Sequence, residues 1–300
     1  MRLSELTDAQ LREALRTGLA LTTGPFKFRI TSHTEPVFQG LRRLYGDFQL
    51  SDDGGFCDYT VRIDRVHGLR AHFRPQVSFD FDGVQPFKPL PADHAYALLE
   101  WGLNWCIAGH AHHYLLLHAA VLERNGKALI LPGSPGAGKS TLTAALALSG
   151  YRLLSDEMAI IDRDDGLLVP LARPVNLKNA SIDIVRRFSA DAVLGEVAYD
   201  THKGTVAHLK PPARSVAMAD RRATAAFVIF PRWQPGVKAA LTARPKADAF
   251  MHLTNHAFNY PVLGSAGFGL AAALIDACAC YDFTYTQLPE ALAVFDALTR

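Results

Sequence analysis

The chain has 300 residues, of which 49% are hydrophobic and 20% charged. Such a length holds one large or two modest domains, and such a composition excludes disorder as the dominant state. Lys and Arg number 31 against 29 Asp and Glu, a net charge of +2, so the chain has neither the broad basic field of a nucleic-acid binder nor an acidic tail.

The spacing of Leu3, Leu6, Leu11 and Leu15 predicts an amphipathic helix, with Thr7 or Asp8 as its cap and Gly18 as its stop. This opening mixes acids and bases and lacks the apolar run of a signal peptide. The period then changes. Phe26-Lys-Phe28-Arg-Ile30, Tyr59-Thr-Val61-Arg-Ile63 and Val77-Ser-Phe79-Asp-Phe81 alternate, which predicts half-buried strands. Asp82 to Pro91 is punctuated by Pro86, Pro89 and Pro91 and reads as a linker. Residues 1–90 are therefore expected to form a small, sheet-rich α+β unit without a chemical motif, its role unknown.

From residue 91 the expected order is a helix (Ala92 to about Ala111), a strand (Tyr114 to Leu122), a turn at Glu123–Gly126 and a compact apolar strand (Lys127 to Leu131). Trp101 to Leu122 contains no Asp, Glu, Lys or Arg, but His110, His112, His113 and His118 make it a poor lipid-facing helix, so no membrane span is expected. A Gly-rich loop, a helix (Ser140 to Ser149) and a strand (Arg152 to Ser155) complete a βαβ unit. Further on, Ala226 to Phe230 reads as a strand and Gly264–Gly269 as a turn opening a helix from Leu270 to Cys280. A last helix, Glu290 to Leu298, follows Pro289. Cys57, Cys106, Cys278 and Cys280 form neither a disulfide framework nor a zinc site, and reduced thiols in a cytoplasmic protein are expected.

The chemistry is concentrated in Gly133-Ser134-Pro135-Gly136-Ala137-Gly138-Lys139-Ser140, a full match to G-x-x-x-x-G-K-[ST] placed between an apolar strand and a helix. A chance match in a chain of this length is roughly 1 in 100. A triphosphate packs several negative charges into a small volume. Glycines let a loop wrap around it so that backbone N–H groups point inward, and the positive end of the following helix adds to the field. Lys139 would reach the β- and γ-phosphates, the Ser140 hydroxyl would be a ligand for Mg²⁺, and Thr141 opens the helix beside them. Asp156 and Glu157 close the next strand. Parallel strands flanking a crossover helix end on the same sheet edge, which brings both acids beside the loop. A carboxylate there can hold Mg²⁺ or take a proton from an attacking hydroxyl. The developing charge on a phosphoryl group calls for further cations, and Arg173, Lys178 and Lys203 are the candidates for contact with phosphate or substrate. Arg232 and Trp233 read as a surface Arg packing on Trp.

Leu117-His118-Ala-Ala-Val-Leu, Gly126, Ala128-Leu-Ile-Leu-Pro-Gly133 through Ser140-Thr141, and Gly150-Tyr-Arg-Leu-Leu-Ser-Asp156-Glu157 together resemble the catalytic domain of bacterial HPr kinase/phosphorylase. Gly24-Pro-Phe, Arg173-Pro-Val-Asn-Leu-Lys178, Thr201-His-Lys203-Gly204-Thr, His208-Leu-Lys-Pro-Pro212 and Phe230-Pro-Arg-Trp233 look like the HPr-kinase-related group within it (the kinase A type). The stronger match covers about residues 114–160.

The resemblance implies an α/β P-loop kinase core of the HPr kinase/phosphoenolpyruvate carboxykinase type over residues 91–300. It also implies ATP and Mg²⁺ as cofactors, and transfer of the γ-phosphoryl group to a serine-like hydroxyl of a protein, peptide or small molecule. By position, His118 would lie near the γ-phosphate, Asp156 would be the general base, and Glu157 its neighbour or a metal ligand, with either acid able to take either role. The implied partners are a serine-bearing protein or peptide, a PqqD-like peptide carrier and a nucleotidyltransferase, in a homo-oligomer of unknown order. The family shows Asp-Asp where this chain has Asp156-Glu157, and its Glu-Ile-Arg-Gly-Leu-Gly segment is absent here. The alternative is an ATP-binding switch or scaffold in a maturation system, without turnover.

Overall fold

Thr7 starts helix α1 (Asp8–Thr17) with a capping box: its hydroxyl accepts from the Gln10 N–H, and the Gln10 side chain accepts from the Thr7 N–H. The cap falls inside the leucine series, so the expected single helix is a separate 3₁₀ turn (Leu3–Glu5) followed by α1. These elements come from a computed structural model, which describes residues 1–51, 55–68, 73–133 and 136–300.

The alternating runs form strands as their period predicts. Among the described residues, β1 (Leu19–Thr23), β2 (Phe26–Ser32), β3 (Tyr59–Arg65), β4 (Gln76–Phe81) and β5 (Leu90–Pro91) make a sheet in that order, with β2 and β3 parallel and the other pairs antiparallel. Phe26, Phe28 and Ile30 point inward while Lys27 faces solvent. Helix α2 (Glu35–Leu44) packs against α1 and α3 (Ala95–His110), and α3 packs on β3, β4 and β5 of this sheet.

The Asp82–Pro91 stretch is not a free linker. Leu90–Pro91 pairs with β4, and the Phe87 ring lies 5.5 Å from Phe79 and 5.8 Å from Trp105. The front core does not stop at residue 90: Leu98, Leu99, Leu103, Cys106 and Ile107 of α3 belong to the same buried cluster as Phe28, Ile63 and Phe79. An apolar helix with so little polar surface needs cover on most sides, and the front sheet supplies much of it.

The expected strand Tyr114–Leu122 is two strands in two sheets. β6 (Tyr114–Leu117) is followed by β7 (Ala119–Arg124), with His118 at the break. β7 turns into β8 (Lys127–Pro132) through Asn125 (φ +53°) and Gly126 (φ +78°), the left-handed pair of a two-residue hairpin. Helix α4 (Lys139–Leu148) then leads to β9 (Arg152–Ser155). Strand β10 (Ala159–Asp162) pairs with β6 on one side and β11 (Leu168–Val169) on the other. β12 (Val175–Lys178) runs into α5 (Ala180–Phe188), and β13 (Ala198–Thr201) and β14 (Gly204–Leu209) complete a sheet of order β12-β14-β13.

A short helix α6 (Ala213–Ala217) precedes β15 (Ala225–Trp233) and β16 (Ala240–Ala243). Helices α7 (Lys246–Thr254) and α8 (Tyr260–Ala277) follow, then β17 (Ala279–Tyr285) and α9 (Leu288–Leu298). The expected turn at Gly264–Gly269 lies inside α8, which only kinks at Gly264 (φ +56°), and the helix stops before Cys278. Cys280 lies in β17, parallel to β15, not in a helix. By length and composition α8 is apolar enough to cross a membrane. Here it packs on β6, β15, β17 and α7, burying Ala271, Leu274 and Ile275.

The main sheet has the order β16-β17-β15-β8-β7-β9. β8, β15 and β17 are parallel, whereas β7 is antiparallel to both β8 and β9. The two strands of the βαβ unit therefore run the same way with β7 between them, and both end on one edge of the sheet.

Candidate functional site

At that edge β8 gives way to Gly133 and, through Gly136 and Gly138, to the first turn of α4. Ser134 and Pro135 lie outside the described residues. Gly136 (φ +88°) and Gly138 (φ +84°) both adopt the left-handed conformation that glycine tolerates without strain. The loop is pinned from the neighbouring parallel strands: Trp233 N–H donates to the Ala137 carbonyl at 3.0 Å, and Tyr285 OH donates to the Gly138 carbonyl at 3.0 Å. Both pins follow from β15 and β17 ending on the same edge as β8. α4 starts directly after Gly138 with no side-chain cap, so its first backbone N–H groups stay available.

Lys139 is 8% exposed, and its ammonium has no hydrogen-bond partner among the described residues. Burial pushes its pKa down, against the pull of Asp156 and Glu157. A lysine in such a place is costly unless something anionic meets it.

Asp156 and Glu157 follow β9 directly. The Asn176 backbone N–H donates to Asp156 Oδ2 at 3.0 Å and its amide Nδ2 donates to Glu157 Oε1 at 3.0 Å, so one residue of β12 holds both acids. Asn104 Nδ2 donates to the other oxygen, Glu157 Oε2, at 3.1 Å. Asp156 Oδ1 is buried and unpartnered among the described residues. Burial lifts the Asp156 carboxyl to about 6, with Lys139 pulling in the opposite direction. Glu157 behaves differently. Burial opposes its ionisation, but Lys203, Lys178 and the Asn176 amide outweigh it and hold the carboxyl below the usual range. Two adjacent acids thus differ: Asp156 is suited to taking up a proton near neutral pH, and Glu157 is suited to staying charged.

A cleft of about 820 Å³ opens over these groups, lined by His118, Gly133, Gly136, Gly138, Lys139, Ser140, Thr141, Glu157, Asn176 and Lys178. Its outer walls are Ile184, Arg187 and Phe188 of α5 on one side and Trp233, Tyr285, Leu288 and Pro289 on the other. His118 is half-buried. Its backbone N–H donates to the His256 carbonyl at 2.7 Å and its ring lies 5.6 Å from Phe258. Burial, then Lys139, pushes its pKa down to about 4, so the ring is neutral at pH 7.

The three cations expected to meet phosphate or substrate have different fates. Lys178 lines the cleft. Lys203 does not; its ammonium stands 4.7 Å above the Trp101 ring and acts on Glu157 through its charge. Arg173 is a correction. It is 5% exposed, with Nη2 donating to Glu100 Oε2 at 2.5 Å, Nη1 to Asn104 Oδ1 at 2.8 Å and Nε to Tyr45 OH at 3.3 Å. Nη2 also donates to the Glu100 carbonyl at 3.1 Å, so four of its five N–H donors are held inside the protein, and Arg173 does not line the cleft. Asp162, which ends β10, is buried in an ion pair with Arg222 at 2.9 Å.

Sequence reasoning missed Asn104, Asn176 and Tyr285. An asparagine amid the apolar residues of α3 was the one available signal for Asn104. Among the described residues no group of three or more His, Cys, Asp or Glu could hold a metal ion alone. Ser140, Glu157 and Asp156 offer oxygen donors only. That set fits Mg²⁺, which keeps water and phosphate ligands and takes one or two oxygens from protein.

No protein-family model and no curated protein matches the sequence. Among solved structures the chain is similar to the Hpr(Ser) kinase/phosphatase from Coxiella burnetii. The identity is 13%, the match spans 61% of this chain and 96% of that one, and the TM-score is 0.28. A likeness of that strength decides nothing about the chemistry here.

Proposed function

We propose that this chain is an ATP-dependent phosphotransferase that moves a γ-phosphoryl group to a serine-like hydroxyl. The observation that carries this reading is the buried ammonium of Lys139, without a hydrogen-bond partner among the described residues, at the floor of the cleft where a glycine loop meets an uncapped helix start. Each of these features favours a multiply charged phosphate chain, and together they leave little else that satisfies them.

In this reading the backbone N–H groups at the start of α4 and the Lys139 ammonium bind the phosphates. Ser140 and Glu157 would hold Mg²⁺, which neutralises charge on the β- and γ-phosphates when bound. Asp156 takes the proton of the acceptor hydroxyl at Oδ1, the oxygen left free by Asn176. Lys178 on the cleft wall offers a second cation to the transferred group, and neutral His118 offers a hydrogen bond without adding charge.

The test is γ-³²P-ATP with Mg²⁺ and a lysate or peptide library, alongside equilibrium binding of ATP. Labelled serine product is the expected result. ATP binding with no transfer to any acceptor assigns the chain to a nucleotide switch instead, and no ATP binding sinks both.

A further inference from the structure

The acid pair is not supported by the nucleotide-binding half alone. Asn104 comes from α3, most of whose buried apolar side chains, Leu99, Leu103 and Ile107 among them, belong to the core of the front sheet. Its two amide ends are spoken for. Arg173 can only donate, so the atom it meets at 2.8 Å must be Oδ1, and this turns Nδ2 toward Glu157. Arg173 is itself held by Glu100 Oε2, while the other oxygen of Glu100 accepts from Tyr45 OH and Tyr96 OH, both at 2.7 Å. Tyr45 caps α2 and is fully buried in the front core. A continuous run of hydrogen bonds thus leads from Tyr45 through Glu100, Arg173 and Asn104 to Glu157.

We propose that Asn104 is a positioning residue for Glu157, and that through this buried run the front unit sets the geometry of the acid pair. The inference rests on the function proposed above. Packing by itself asks only for an apolar side chain at position 104 of α3. The amide adds direction: Asn104 on Oε2 and Asn176 on Oε1 fix both carboxylate oxygens of a side chain that lines the cleft. Residues 1–90, which carry no motif, acquire a role as an outer support of the acid pair, through Tyr45.

The experiment measures affinity for trinitrophenyl-ATP by fluorescence, in EDTA and then in Mg²⁺, for wild type, Asn104→Ala, Asn104→Leu and Tyr45→Phe. In EDTA both Asn104 variants should bind within about twofold of wild type, while their gain in affinity on adding Mg²⁺ should fall about tenfold, the size found for losing a residue that orients a metal ligand. Tyr45→Phe should lose less, in the same direction. A wild-type gain that Asn104→Ala and Asn104→Leu both retain overturns the positioning role and leaves the proposed function standing. A wild type that shows no gain in Mg²⁺ overturns the role as well. If the wild type binds no nucleotide under either condition, the functional reading falls and this inference with it.

Discussion

The Lys139 ammonium and the Asp156 Oδ1 atom are both buried at one sheet edge, carry opposite charge, and have no hydrogen-bond partner among the described residues. Two such groups are a standing cost to the ligand-free protein and a readiness for ligand. Their separation on α4 and after β9 keeps them from neutralising each other by direct contact.

Lys139→Met should therefore act in opposite directions on stability and binding. Without nucleotide, its melting temperature should exceed that of wild type, because a buried unpaired charge is gone. ATP should raise the wild-type melting temperature and leave that of the variant unmoved. A variant still stabilised by ATP argues against phosphate contact at this lysine. Differential scanning fluorimetry reads both.

Asp156 should leave a signature in the pH dependence of stability. Its carboxyl is lifted to about 6 in the folded protein, above the ordinary aspartate value near 3.9. Between those values the folded state binds the additional proton, so this group's contribution is favourable at low pH and is lost as pH rises through about 6. Asp156→Asn mimics the neutral form. It should match wild type near pH 4 and be more stable by about 3 kcal/mol at pH 8, while abolishing phosphoryl transfer. Urea midpoints across that range test it, and a pH-independent difference contradicts it.

Arg173→Met should cost stability rather than binding. The Arg173–Glu100 pair is buried on both sides, with side-chain exposures of 5% and 4%. Removing one partner strands the other, typically at about 3–5 kcal/mol. The double variant Arg173→Met, Glu100→Leu should recover part of that loss, as urea unfolding would show. Full single-mutant stability together with lost substrate affinity restores the contact role expected from sequence.

Gly138 and Gly136 share a positive φ but not a neighbourhood. A Cβ at Gly138 meets Tyr285 OH at 2.6 Å and Trp233 Cβ at 2.9 Å, whereas one at Gly136 meets open space. Gly136→Ala should cost about 1–2 kcal/mol of backbone strain. Gly138→Ala should cost more and should also disturb the loop pinned by Tyr285 and Trp233, seen as a larger loss of ATP affinity in titration calorimetry. Equal effects of the two substitutions contradict the pinning.

The local half of the site was legible in the sequence because its determinants are local. Glycines at loop positions, a lysine at a helix start, and acids closing the following strand are neighbours along the chain, and hydrophobic period placed them between β8, α4 and β9. The same period could not show that β7 inserts between β8 and β9, nor that the break at His118 sends β6 and β7 into different sheets. Both depend on pairing between distant segments. Arg173 looked like a free cation because sequence shows a charge but not its partner, and that partner, Glu100, sits on a helix far back in the chain. Asn104 and Asn176 were hidden for the same reason: a neutral amide carries no pattern, and its value lies wholly in what it faces.

The sequence by itself determined the glycine loop, its helix and the acids one strand later. Tertiary structure alone decided which cation meets the cleft, which is consumed in the core, and that a motif-free front unit reaches the acid pair through Asn104. Backbone conformation is written in residue type and spacing, whereas electrostatic partnership is created only when distant segments pack.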